Sequence, residues 1–217
     1  MKKNVALVCL LALWNLALFA QTVKGPGIVH TPEKSAIHVP PQAAPAALKV
    51  IYSNLGSKTD LYRDTVGRYV AGPNSGYPYT EFVGMPFTPK ANSHVSQVGV
   101  AVQFQGRGSN QVNLSIYGDT DGAPGTLLAG PVTVTNLPNA GTCCTLTVAN
   151  FSPVAVTGGT QYWVVADTPL TGAGSDFEGP WDFVAKYFPQ AVNVNGFGWT
   201  GLSGLYEVAG QVLGTIP

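Results

Sequence analysis

Asp119, Thr120, Asp121 and Gly122 stand in a row, two alternate carboxylates before a glycine. Oxygen donors at that spacing around a sharp turn are what calcium, a hard cation, requires. An EF-hand would continue with further oxygen ligands and a bidentate Glu at its twelfth position, where this chain has Gly130. Asp and Gly also dominate ordinary hairpin turns for conformational reasons alone. The reading is therefore a turn, with calcium at Asp119 and Asp121 as its alternative, and no other cofactor is expected. Tail aromatics are the second chemical group: Trp181, Tyr187, Trp199 and Tyr206 could stack on sugar rings, as large amphipathic rings do. Asp176, Glu178 and Asp182 lie among them and could orient hydroxyls or be solvated loop charges.

Cys143 and Cys144 are the third group. Disulfides ordinarily join Cα atoms about 4.4–6.8 Å apart, and strand alternation would send adjacent side chains to opposite faces. Two thiols, a bond between the neighbours and an intermolecular bond all remain open. Catalytic residues are not expected. His94 is the sole histidine of the expected domain and no serine elbow accompanies it, so a Ser-His-Asp site has no parts to draw on. A glycosidase needs two carboxylates across a bond, which residues 176–182 would supply only by coincidence of folding. The chain is read as a non-enzyme.

The elements that would position these groups are strands. Residues 111–167 form period-two apolar runs broken by Gly, Pro, Asp and Asn turns, the pattern of an antiparallel sheet. Gly (26) and Pro (17) are abundant, which favours short strands and tight turns over helices. Strands are expected from Leu48, over 81–87, over 94–104 and through 161–167, where both faces are apolar as in a central strand. Residues 53–79, mixing charge and glycine, read as a solvated loop. The tail segments PWDFVAKYF, GFGWT and GLYEVAGQVLG should supply the last strands. The class is all-β, an antiparallel β-sandwich of jelly-roll or immunoglobulin-like type.

Around that domain, residues 1–20 have the cationic start, apolar run and small-residue end of a secretory signal peptide. Residues 21–47, with five prolines and no period, read as a disordered tether. The domain is then 48–217. The apolar run of the leader is shorter than the ~20 residues that cross a bilayer, so the mature chain is expected outside the cytoplasm without a membrane span: secreted, periplasmic or at the cell surface. Only 10% of residues are charged, and loss of Lys2 and Lys3 takes the basic count from 11 to two below the 11 acidic residues. Nucleic acid is not an expected partner, since it needs a basic face. An extracellular glycan or surface protein is.

Taken in order, YSNLG (52–56), MPFTP (85–89), SIYGDTDGAPGTLL (115–128), VTNLP (134–138), the Cys143-Cys144 pair and GGTQYWVVA (158–166) resemble the bacterial choice-of-anchor R domain. The likeness spans residues 48–212 and is most specific through Asp167. It implies an exported β-sandwich without an assigned activity, in a family whose members attach to the surface through varied C-terminal anchors. The residues leading to Pro217 do not read as such an anchor, so export is expected and attachment is not.

Overall fold

Strands rather than helices follow from the β-branched and aromatic runs, and no α-helix occurs among the described residues. The computed structural model describes residues 47–57 and 60–217. The expected leader (1–20) and the tether (21–47, except Ala47) lie outside them. Eleven strands are present among the described residues: β1 (Lys49–Ser53), β2 (Arg63–Ala71), β3 (Glu81–Phe87), β4 (Ser93–Val100), β5 (Gln111–Thr120), β6 (Ala123–Thr135), β7 (Thr147–Val156), β8 (Tyr162–Asp167), β9 (Glu178–Val194), β10 (Trp199–Val208) and β11 (Gly210–Thr215). They form two antiparallel sheets, ordered β1-β11-β4-β7 and β10-β9-β2-β3-β8-β5-β6.

One apolar core serves both sheets. Ile51, Val95, Val98 and Val212 from the smaller sheet meet Val83, Met85, Leu114, Ile116 and Val164 from the larger, all buried. On β8 the alternation sends Val164 and Ala166 into this core, while Trp163 and Val165 face a second cluster with Ala191, Tyr117 and Trp199. Both faces of β8 are thus covered, as its sequence implies for a strand held between β3 and β5.

The seventeen residues of β9 bind the larger sheet to itself. Residues 178–183 pair with β2 and residues 191–194 with β3, and β2 and β3 also pair with each other. The sheet therefore curls. The two sheets are joined by residues 101–105, which leave β4 and run beside β9. Gln103 N donates to Pro180 O (2.9 Å), Gln105 N to Glu178 O (3.1 Å) and Asp182 N to Ala101 O (3.0 Å).

Three expectations need correction. The supposed loop over 53–79 contains β2, whose polar residues are held by the ladder to β9 rather than by their own burial. The strand expected over 94–104 ends at Val100, because residues beyond it change partner, so Ala101 and Gln103 are buried as well as Val102. Asp176, Glu178 and Asp182 are not a set of solvated loop charges. Glu178 and Asp182 lie buried in β9, and Asp176 caps a turn by accepting from Ser109 N at 3.0 Å.

Candidate functional site

The ladder of β2 on β9 is irregular, and the irregularity shapes the surface. Arg63 pairs with Phe183 and Gly67 with Asp182, so residues 64–66 have no partner on β9 and bulge outward. Bulges of this kind bend a strand and re-aim its side chains. Gly67 is required where the strand returns, since a Cβ there would stand 2.6 Å from Trp181 O.

Beside this ladder runs a groove of about 320 Å³ lined by Arg68, Tyr69, Tyr77, Glu81, Phe183 and Tyr206, among others. Tyr69 and Tyr77 stack with centroids 4.8 Å apart and planes within 5°, and Tyr79 meets Tyr77 edge-on at 5.4 Å. Tyr206, in the same lining, stacks on Tyr187 at 4.6 Å and leans on Phe183 at 6.2 Å. The Arg63 guanidinium lies 5.1 Å from the Tyr206 ring centre, within cation–π range. In the same groove Arg68 Nη1 pairs with Glu81 Oε1 at 2.6 Å, with the Glu81 side chain only 5% exposed.

Electrostatics follow these contacts. Burial, then the Glu81 carboxylate, pushes the Tyr77 phenol up. The Tyr187 hydroxyl, then the Arg63 guanidinium, hold the Tyr206 phenol below its ordinary range. The site presents flat aromatic faces, one ion pair and several phenolic hydroxyls, a chemistry suited to a polar ligand with flat apolar patches.

The four tail aromatics separate in three directions. Tyr206 lines the groove, and Tyr187 (64% exposed) stacks on it. Trp181 does not reach it: it is fully buried, its indole N–H donated to Ala209 O at 2.8 Å, and it packs the main core. That corrects its assignment to a binding surface, because its ring is enclosed in the core that the two sheets share. Trp199 is half-buried against the Trp163 cluster. Tyr69, Tyr77, Arg68 and Glu81 escaped sequence reasoning. The available signal was YVAGPNSGYPY (69–79), three tyrosines around a Pro-Gly turn, which sends the chain back on itself.

Asp119 has a turn role in the structure. Its Oδ1 accepts from Trp163 Nε1 and Gln161 Nε2, both at 2.7 Å, and its Oδ2 accepts from Gly122 N at 3.2 Å. Burial pushes this carboxyl up, but the three hydrogen bonds outweigh it and hold the group below its usual range. Asp121 sits beside it in the left-handed region (φ 53°) that the turn demands. Among the described residues no cluster of three or more His, Cys, Asp and Glu could hold a metal.

Cys143 and Cys144 are bonded to each other, in a turn before β7 rather than within a strand. Cys143 Sγ lies 3.7 Å from Tyr62 O, and the Tyr62 hydroxyl is 3.0 Å from both Thr142 O and Thr145 O. Gln103 completes the anchorage, donating to Thr142 O and to the Tyr62 hydroxyl and accepting from Gly141 N at 2.9 Å. No protein-family model, curated protein or solved structure matches the chain.

Proposed function

We propose that the chain is an exported, non-catalytic binding domain of β-sandwich type whose tyrosine groove holds an extracellular glycan. The observation that carries this reading is one groove lined by Tyr69, Tyr77 and Tyr206 together with the Arg68–Glu81 ion pair, with Tyr77 stacked on Tyr69 and Tyr187 on Tyr206. Sugar rings offer apolar C–H faces to aromatic rings and hydroxyls to charged groups, so both halves of the groove have a use. Binding without turnover accords with Glu81, the groove's carboxylate, being engaged by Arg68 instead of free to transfer a proton.

Export is supported by the leader pattern of residues 1–20 and by the resemblance to the choice-of-anchor R domain. The sandwich is supported by two antiparallel sheets sharing one core. A glycan array probed with the purified chain should give a specific signal. Tyr206→Ala and Tyr69→Ala should each weaken it about tenfold, or ~1.4 kcal/mol, with the fold retained by circular dichroism. Silence on every glycan, or a signal unchanged in both variants, would remove the groove from the proposal.

A further inference from the structure

Arg63 joins the tyrosine groove to a second hollow. Its guanidinium lies 5.1 Å from the centre of the Tyr206 ring, which lines the groove, and the same residue lines a pocket of about 370 Å³ with Asp60, Leu61, Tyr62, Val184 and Lys186 among others. The strand register brings the two cations to one end of the β2–β9 ladder. Arg63 stands opposite Phe183 where β2 begins, and Lys186 lies a few residues further along β9. Both are exposed, so a ligand in solution can reach their charges.

These cations are not spent inside the protein. Arg68 and Glu81 form the one ion pair among the described residues, so neither Arg63 nor Lys186 is bridged to a carboxylate there. Asp60 shares the pocket without pairing with either, and Glu207, the buried carboxylate that feels the Lys186 charge, accepts from the Tyr52 hydroxyl at 2.9 Å. A guanidinium that faces an aromatic ring keeps the N–H donors along its edge, and two of them in parallel fit a carboxylate or a sulfate. The groove lining is neutral, since Glu81 offsets Arg68, whereas the pocket sets two cations against Asp60. The surplus positive charge therefore sits at the Arg63 end. We propose that the glycan taken by the groove is acidic, with a carboxylate or sulfate group held by the Arg63 guanidinium beside Tyr206 and with Lys186 as the second cation of the pocket. This rests on the glycan reading of the groove and adds the charge of the ligand to it. A neutral sugar would use the rings and leave both cations to water, while an anionic one is drawn to them before contact.

Matched probes separate charge from ring shape: calorimetric titration of the full chain compares an oligogalacturonate with its methyl ester, and dextran sulfate with dextran. In at least one pair the acidic member should bind about tenfold tighter than its neutral partner, the size of a charge-assisted contact, and that pair names the acid. Arg63→Gln should remove the preference and Lys186→Gln should reduce it about threefold. Lys90→Gln, which deletes an exposed charge outside the pocket, should leave it intact. Salt at about 1 M should erase most of it, because the screening length falls to about 3 Å. If Arg63→Gln fails to fold, the contrast between Lys186→Gln and Lys90→Gln carries the test. Equal binding within both pairs, or an acid preference that survives Arg63→Gln, overturns the proposal and leaves a groove for neutral glycans standing. An acid preference lost in Arg63→Gln and untouched by Tyr69→Ala keeps the anion site and removes the groove. Silence of all four probes overturns the proposal too.

Discussion

Asp167 shows how far a single side chain can be argued. It closes β8 beside Asn113, whose Nδ2 donates to its Oδ1 at 3.1 Å, and Asn113 Oδ1 accepts in turn from Thr133. Burial raises its pKa from 3.8 to about 6, with the Asn113 hydrogen bond opposing. Tyr117 is the facing phenol, itself raised by burial and then by Asp167. Because the folded value lies above the unfolded one, the protonated carboxyl is the form the fold prefers. That preference is complete below pH 3.8 and is lost as pH rises through about 6. Asp167→Asn keeps the acceptor and cannot ionise. It should therefore gain stability over the parent between pH 4 and 7, reaching on the order of 2 kcal/mol, as read from urea unfolding at each pH. A pH-independent difference would refute the assignment. At this scale the sequence spoke clearly for Trp163, whose apolar neighbours on both sides announce a buried strand. It was silent on Trp181, set among Pro180, Asp182 and Phe183, where composition alone does not say which face turns inward.

β2 is the element on which the candidate surfaces depend. RDTVGRYVA has three charges and a glycine, and only Val70 and Ala71 are buried, so intrinsic preference argues against a strand there. The ladder to residues 178–183 overrides that preference, as tertiary context does for strands. Gly67 is the contact that admits the ladder. Gly67→Ala would drive a methyl to 2.6 Å from Trp181 O and should cost about 1–3 kcal/mol in chemical denaturation. A neutral result would mean that β2 does not dock on β9 as described, and the groove would lose the wall that β2 supplies. The bulge over 64–66 was illegible for the same reason: a bulge is a mismatch between two strands, and one strand's sequence does not contain it.

For the whole molecule the decisive segment is 101–105, which passes from the smaller sheet to β9 and carries Gln103. Its amide holds Thr142, Gly141 and Tyr62, so the cysteine turn is tied to the joint between the sheets. Gln103→Leu should leave Gly141 N unpaired, leave Thr142 O with the Tyr62 hydroxyl alone, and cost about 1–3 kcal/mol, with amide exchange rising over residues 139–145 ahead of the rest of the domain. Uniform exchange across the domain would show that the turn is not held in this way. By itself the sequence determined an all-β antiparallel class, the turns at Asp119–Gly122 and the buried β8, because local alternation and turn chemistry act within a few residues. Only the tertiary structure decided that β9 would bridge β2 and β3, and that Trp181 would be core while Tyr206 came to line one groove with Tyr69 and Tyr77. Those outcomes depend on pairings between residues far apart in the chain, set by one shared core and a curled sheet, and no local pattern encodes them.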